Sequence, residues 1–119
     1  MLMPVQRSSI TLTTTGRLSG TPRSATLYAF ADGDRLVIVG SRGGAARNPA
    51  WAINLRDEPR ARVRVGKVER VVEAREVEPG SERDRLWALV TEAFPMYATY
   101  QRRTKRLIPI FVLEPREED

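Results

Sequence analysis

Residues 60–77 read RARVRVGKVERVVEAREV, and this stretch indicates a β-rich fold. In its first six residues arginine alternates with alanine or valine, which is the period of a strand with one buried and one wet face. Gly66-Lys67 then has the length and the leading glycine of a two-residue hairpin turn. A second strand is predicted from Val68 to about Val77. The stretch therefore predicts an antiparallel hairpin.

Similar strand signals continue on both sides of this hairpin. Four further strands are predicted from β-branched or continuous apolar runs: Ser8–Thr15, about Ser24–Ala31, Leu36–Val39 and Leu107–Leu113. The third of these is short and wholly apolar, so we expect it to be buried on both faces. Between the first two, Gly16–Arg23 holds two glycines and a proline, which predicts a hairpin loop.

Three helical segments are predicted between the strands. The first starts at Asn48-Pro49, where we expect the asparagine to cap the helix and the proline to take its first position. The second is expected to start with a cap at Ser81. A short third helix or turn covers residues 96–105. The order of elements lacks alternating βαβ units, so the predicted fold is mainly β with inserted helices, a closed or split antiparallel barrel.

The 119 residues have the size of a single domain, with a core from about residue 8 to residue 115 and a polar tail, expected to fray, from Glu114. No run approaches the roughly 18 apolar residues that span a bilayer, and the first seven residues lack the apolar core of a signal peptide. We therefore expect a cytoplasmic protein without an integral membrane segment.

The chain has no cysteine and no histidine, which excludes thiol nucleophiles, disulfides, thiolate zinc sites and the usual general base at neutral pH. No metal site is predicted, and any chemistry is expected to come from a cofactor. The net charge of +5 rests on 20 basic residues, of which 18 are arginine. Because the guanidinium fork suits phosphates and carboxylates, an anionic partner is expected.

Three segments combine glycine or a helix start with polar or basic residues, and each is predicted to lie outside the strands, where binding sites are usually built. In the first, residues 16–23, two arginines and a serine can reach an anion. In the second, residues 41–44, paired glycines let the backbone approach a flat or phosphorylated ligand. The third is the helix start at residues 48–54, whose dipole favours an anion. The candidate binding residues are Arg17, Ser19, Arg23, Ser41, Arg42, Gly43, Gly44, Asn48, Pro49, Trp51 and Asn54.

These segments carry a resemblance to a known family. In order along the chain, GRLSGTPR (16–23), SRGG (41–44), NPAWAINL (48–55) and YQRRT (100–104) resemble the deazaflavin-dependent nitroreductase and quinone reductase family. The resemblance extends from about Ile10 to Pro115. It implies an FMN-binding split-barrel-like fold with about six strands and two to three helices. It also implies that reduced coenzyme F(420) gives a hydride to a quinone, a nitroaromatic or an activated alkene.

The resemblance also implies roles for individual residues. Arg17 and Arg23 would hold the anionic tail of the coenzyme, and its ring would lie near Ser41, Arg42 and Gly43. Leu18 stands where the family motif has a lysine, so one tail contact is missing here. Arg42 replaces a common lysine, which keeps the charge and alters the geometry.

An aromatic series that faces substrate in the family appears here as Phe94, Tyr97 and Tyr100, three residues apart. Tyr97 and Tyr100 are the candidates for orienting substrate or relaying a proton, or they are ordinary core or surface aromatics. Few residues precede the first strand, so a lid or membrane-associating helix found in longer relatives is expected to be missing.

Two other functions stay open at this point. One is a split-barrel protein that binds FMN, haem, a lipid or a tetrapyrrole, with or without turnover, since a fold alone does not determine function. The other is a nucleic-acid-binding barrel, which a pI near 10.4 permits. Nucleic acid is not expected, because the arginine face of residues 60–64 has no interleaved aromatics. Exposed barrel edges and the family resemblance make a homodimer the expected assembly.

Overall fold

The computed structural model describes residues 7–117, which form a barrel of six antiparallel strands with three α-helices. The predicted fold class is confirmed. The strands are β1 (Arg7–Thr15), β2 (Pro22–Asp32), β3 (Arg35–Val39), β4 (Arg60–Val65), β5 (Val68–Glu76) and β6 (Ile110–Arg116). The helices are α1 (Ala50–Asp57), α2 (Ser81–Ala93) and α3 (Met96–Arg103), and a short 3-10 turn covers Arg42–Gly44.

The barrel closes in the order β1-β2-β3-β6-β5-β4. Hairpins join β1 to β2, β2 to β3 and β4 to β5, and the last of these turns at Gly66-Lys67 as predicted. Three pairings between strands distant in sequence complete the barrel: β3 with β6, β5 with β6, and β1 with β4. Each described strand thus has two neighbours, so no whole strand forms an outer edge, and only part of β2 lacks a partner on one side.

One gap remains in the barrel wall. β2 pairs with β1 along nine residues, from Pro22 to Phe30, but it pairs with β3 only from Phe30 to Asp32. Strand β3 ends at Val39, and Gly40 then donates its N–H to the carbonyl of Pro109, so the chain turns away from β2. We call the space between residues 23–28 of β2 and residues 39–54 the seam. It makes the barrel a split one.

Strand alternation divides the apolar residues into two clusters. The interior cluster includes Ile38 and Phe111 and is closed by Ala52 and Leu55 of α1. The outer cluster includes Val37 and Val112 from the same strands, and α2 and α3 cover it. This explains why the short run of β3 is buried on both faces, as predicted: one face lines the barrel and the other lies under helices.

Several predicted boundaries and caps are wrong. Pro49, not Asn48, is the N-cap of α1, and Gly80 precedes α2, which Ser81 begins without capping it. The last strand starts at Ile110 rather than Leu107, because Pro109 has no N–H to donate to a ladder. Residues 114–116 do not fray: they pair with residues 71–73 of β5.

Candidate functional site

Two adjoining cavities lie along the seam, and Trp51 lines both of them. We call the first, of about 540 Å³, the arginine cleft; its lining residues are Thr14, Gly16, Arg17, Leu18, Ser19, Arg23, Ser24, Ala25, Ala50, Trp51, Ile53 and Asn54. We call the second, of about 480 Å³, the aromatic cleft; it is lined by Ser9, Thr26, Leu27, Tyr28, Val39, Ser41, Arg42, Gly43, Pro49, Trp51, Phe94, Tyr97 and Tyr100. Both volumes are typical of small-molecule sites.

The arginine cleft is formed by the β1–β2 hairpin loop and by α1. The loop is compact: Gly20 donates its N–H to the carbonyl of Gly16, and a Cβ added to Gly16 would lie 2.5 Å from Ser19 Oγ. Arg17 and Arg23 are exposed, and Arg23 Nη2 lies 3.4 Å from Ser19 Oγ, to which it donates. Two cations and a hydroxyl group thus line the cleft, and all three belong to the residues predicted to bind an anion.

Asn54 connects this hairpin to α1. Its side chain is buried, donates from Nδ2 to Thr14 Oγ1 (3.1 Å) and accepts the N–H of Arg17 at Oδ1 (3.0 Å). The predicted residue therefore lines the cleft, but its amide is engaged with the chain itself. It holds Arg17 where the arginine borders the cavity.

The aromatic cleft lies between the outer face of β2 and α3. Phe94 joins α2 to α3, and its ring centroid lies 4.8 Å from that of Tyr97 and 6.4 Å from that of Tyr100. Tyr28, on β2, lies 5.9 Å from Phe94. Sequence reasoning missed Tyr28, because period-2 spacing places it on an outer face of β2 and cannot show that α3 approaches that face.

The loop after β3 closes one side of the aromatic cleft. Its backbone has positive φ at three consecutive residues: Arg42 (45°), Gly43 (63°) and Gly44 (83°). Gly43 faces open space, whereas a Cβ on Gly44 would lie 2.8 Å from the carbonyl oxygen of Tyr100. Ser41, Arg42 and Gly43 thus line the cleft, and Gly44 instead allows the loop to pack against α3.

Arg106 holds this loop in place, and sequence reasoning missed it. Its guanidinium donates to the carbonyls of Gly40 (3.1 Å), Ser41 (2.7 Å) and Ala45 (2.8 Å), and to Oδ1 of Asn48 (2.6 Å). Asn48 therefore supports the loop and lines neither cleft. No local pattern marks Arg106, because all four acceptors lie about 60 residues away.

Tyr97 and Tyr100 differ in their surroundings. Tyr97 is 5% exposed, and burial, followed by the neighbouring Tyr100 and Tyr28, raises the pKa of its phenol to about 12, while Arg7 acts in the opposite direction. Tyr97 is therefore a neutral hydrogen-bond donor at physiological pH. Tyr100 is half-buried and reaches the same cavity.

Charge is distributed unevenly along the chain. Every residue that lines the two clefts lies in residues 7–31, 35–56 or 93–113, and these segments contain no aspartate or glutamate. More than half of the basic residues lie in the same segments. The two clefts therefore lie in an electropositive part of the molecule.

This arrangement fits an elongated ligand with an anionic end and a flat ring. The arginine cleft offers cations and a hydroxyl to the anionic end. The aromatic cleft offers ring faces and a glycine that leaves room for close approach of the ligand to the backbone. Trp51, which lines both cavities, can contact the ligand where the two parts join. A deazaflavin with an acidic tail has this shape and charge.

Comparison with known proteins agrees with this geometry. Residues 2–115 match the model of the F(420)H(2)-dependent quinone reductase family. An F(420)H(2)-dependent quinone reductase of Mycobacterium tuberculosis is 39% identical over 116 residues, which cover 96% of this chain and 78% of that protein.

Two solved structures are similar in both sequence and fold. An F(420)H(2)-dependent reductase superimposes with a TM-score of 0.81 and 36% identity, covering 96% of this chain and 100% of the other. A protein described as a domain-swapped dimer has a TM-score of 0.82 and 38% identity, covering 92% of this chain and 81% of the other. With the family match over residues 2–115, the chain belongs to the F(420)H(2)-dependent quinone reductase family.

Proposed function

We propose that this protein binds reduced F(420) along the seam and uses it to reduce quinones. The observation that carries the proposal is the pair of adjoining clefts, one bordered by Arg17 and Arg23 and the other lined by aromatic rings, with Trp51 in both. Family membership makes F(420), rather than FMN, the coenzyme that this site favours. The open alternatives of haem, lipid or tetrapyrrole binding have no comparable support.

In this proposal the two arginines hold the anionic tail and Ser19 adds a weaker donor. The ring lies by Ser41, Arg42 and Gly43, with Pro49 and Trp51 packed against it. When bound, the reduced deazaflavin supplies the hydride. Asn48, Asn54 and Gly44, also predicted as binding residues, act by shaping the loops around the coenzyme.

The acceptor is proposed to lie against Tyr97 and Tyr100. Tyr97 stays protonated, since the pKa of its phenol is about 12, and it donates a hydrogen bond to an acceptor oxygen. Tyr100 is closer to solvent and is the candidate for relaying a proton to the reduced product. Both rings also limit the positions that a flat acceptor can take, which favours a reactive geometry.

Three finer expectations remain predictions. Turnover of nitroaromatics and activated alkenes is expected from the same hydride chemistry. A homodimer is supported by the similar protein that is described as a domain-swapped dimer. A cytoplasmic location is the expectation from the sequence. Among residues 7–117, none of the helices combines the length and apolar character that crossing a membrane requires.

The test is a fluorescence titration of F(420) with the purified protein, followed by a turnover assay with a quinone. We expect the double variant Arg17→Ala/Arg23→Ala to weaken coenzyme binding roughly 10- to 100-fold, because it removes two charge-assisted contacts. Its melting temperature should change little, since both side chains are exposed.

The matched control is Arg60→Ala/Arg70→Ala, which removes the same charge from exposed positions on β4 and β5 away from the seam. An equal loss of F(420) affinity in the two double variants would show a general charge effect. It would contradict the assignment of Arg17 and Arg23 to the anionic tail of the coenzyme. Binding of FMN in place of F(420) by the unaltered protein would contradict the proposed function itself.

A further inference from the structure

Arg7 lies over two of the rings that line the aromatic cleft. It starts β1 and shares the outer face of that strand with Ser9, a lining residue. Its guanidinium carbon is 4.7 Å from the ring centroid of Tyr28 and 5.3 Å from that of Phe94. Both distances are within the range of cation–π contacts, so the rings hold the cation beside the cleft.

Among residues 7–117, none of the ion pairs involves Arg7. Asp32 lies two residues beyond Phe30, the partner of Arg7 on β2, but its carboxylate pairs with Arg35 and Arg85 instead. A guanidinium that stacks on a ring through its face keeps its N–H donors at the periphery, where they can reach an anion. The field of this charge also extends into the cleft, since it favours ionisation of the Tyr97 phenol.

We propose that Arg7 determines acceptor specificity, by making the aromatic cleft prefer flat acceptors that carry a carboxylate or sulfonate. The inference deepens the proposed function and rests on it for the identity of the reaction. The rings bind the flat part of either a neutral or an anionic acceptor, and Arg7 adds attraction only for the anion. If about 7 Å separates the guanidinium from the acceptor's anionic group beside a protein surface, the attraction favours binding of the anionic acceptor over the neutral one roughly three- to ten-fold.

Binding to the protein without coenzyme tests this directly. Anilinonaphthalene sulfonate and phenylnaphthylamine are fluorescent probes that differ by one sulfonate, so the ratio of their dissociation constants reports the preference for the anion. We expect Arg7→Gln to reduce this ratio roughly three- to ten-fold, with little change for the neutral probe. Arg7→Lys should retain most of the preference, because it keeps the charge.

Arg70→Gln is the control, since Arg70 borders a different apolar cavity, of about 380 Å³, lined by Leu36, Val63 and Val72. An effect of Arg70→Gln that equals the effect of Arg7→Gln would overturn the proposal, because the probe would then report general charge or the other cavity. Failure of both probes to bind the unaltered protein would also overturn it.

The second measurement uses naphthoquinone and its sulfonated derivative as acceptors. Arg7→Gln should lower kcat/KM for the sulfonate relative to the neutral quinone and leave the dissociation constant of F(420) unchanged. An unchanged ratio would refute the specificity role. If F(420) does not bind at all but the probes still show the anion preference, the proposed function fails and the preference of Arg7 for anions stands.

Discussion

At the scale of single residues, the two tyrosines of α3 differ in burial and therefore in their ability to donate a proton. Tyr97 lies at 78° to the ring of Phe30 with centroids 5.9 Å apart, and is nearly inaccessible to water. A phenol with a pKa of about 12 is a poor proton donor for a reaction at neutral pH. Tyr100 is better placed to exchange a proton with solvent, since it is half-buried.

We expect Tyr100→Phe to lower kcat about ten-fold or more while the dissociation constant of F(420) stays the same. The matched variant Tyr97→Phe should affect the KM for the acceptor more than kcat, because it removes a hydrogen bond that positions the acceptor. Steady-state kinetics with one quinone and a coenzyme titration distinguish the two. An unchanged rate for Tyr100→Phe would leave that residue a role in packing alone.

Gly43 and Gly44 are adjacent and have similar φ, yet they should respond differently to alanine. Gly44→Ala places a methyl group against Tyr100 and Arg103, so the loop and α3 must separate, at a cost of about 3 kcal/mol in the free energy of unfolding. Gly43→Ala meets no atom within 4 Å in the described part of the chain, and should cost about 1 kcal/mol from φ alone.

Gly43→Ala should weaken coenzyme binding more than Gly44→Ala does, since Gly43 borders the aromatic cleft and Gly44 does not. Denaturant unfolding and a coenzyme titration on both variants check the two expectations. Equal destabilisation by both variants would show that the contact between the added methyl group of Gly44→Ala and α3 does not lower the free energy of unfolding.

Residue types in the glycine-rich motifs were enough to locate the clefts, but the hydrogen-bond partners of individual side chains could not be predicted. Asn54 was predicted to contact the coenzyme; it lines the arginine cleft, and its amide also binds Thr14 and the backbone of Arg17, residues 40 and 37 positions earlier. Asn48 was predicted to cap a helix and instead accepts from Arg106. A polar side chain in such a motif suits a ligand or a distant chain segment equally, and only the tertiary fold decides between them.

At the scale of elements, the loop after β3 depends on one side chain from the segment before β6. Burial lowers the pKa of Arg106, with Arg42 and Arg56 adding to this, so a charged group is held there at an electrostatic cost. Its four hydrogen bonds offset that cost. The loop conformation with positive φ at Arg42 is therefore maintained from outside the loop.

Arg106→Lys should test this dependence, because lysine keeps the charge but cannot reach all four acceptors. We expect a loss of about 2 kcal/mol in the free energy of unfolding and weaker coenzyme binding in parallel. Arg102→Lys is the control: Arg102 is exposed on α3 and donates only to Thr99 among the described hydrogen bonds. A fall in stability without any change in coenzyme affinity would show that the loop conformation does not matter for binding.

All six strands and all three helices could be predicted from the sequence, because period-2 alternation and turn residues are local signals. The ends of elements were less accurate. The apolar residues 107–109 look like a strand, but Arg83 of α2 donates to the carbonyl of Ile108, and Gln101 of α3 accepts its N–H. Both contacts come from other elements, so the first residue of β6 depends on tertiary packing.

At the scale of the whole molecule, the segments that border the seam carry more than half of the basic residues and no aspartate or glutamate. Pairs such as Arg85 with Asp32 neutralise charge between α2 and the end of β2, where both oxygens of Asp32 accept from Arg85. These contacts, and those from Arg35, lower the pKa of Asp32 to about 2. Within residues 7–117, none of the ion pairs involves Arg17, Arg23 or Arg42, so the charge of these arginines is available to attract an anion.

The affinity for F(420) should therefore fall as the ionic strength rises from about 0.05 M to 0.5 M, because salt screens exposed charges. The KM for a neutral quinone should change much less. In Arg17→Ala/Arg23→Ala the dependence on salt should be weaker, since part of the attraction is lost already. Coenzyme titrations at several salt concentrations provide the measurement, and salt-independent affinity would contradict a charge-driven encounter.

Barrel closure was the least predictable feature of the fold. Three hairpins follow from short turns, but the pairings of β3 with β6, β5 with β6 and β1 with β4 join residues far apart in sequence, and no local signal specifies them. The resemblance to a split-barrel family supplied that information. The seam follows from the mismatch between an eleven-residue β2 and a five-residue β3, which can be recognised only once the strands are paired.

The seam also bears on how such a site can diversify. Along an antiparallel strand, alternate residues direct their N–H and C=O groups to opposite sides, so the unpaired part of β2 presents main-chain groups to whatever occupies the clefts. Contacts of this kind do not depend on which side chains the strand carries. Mutation at Thr26 or Tyr28 can therefore alter the choice of acceptor while the main-chain contacts persist, which gives the site room for evolutionary change.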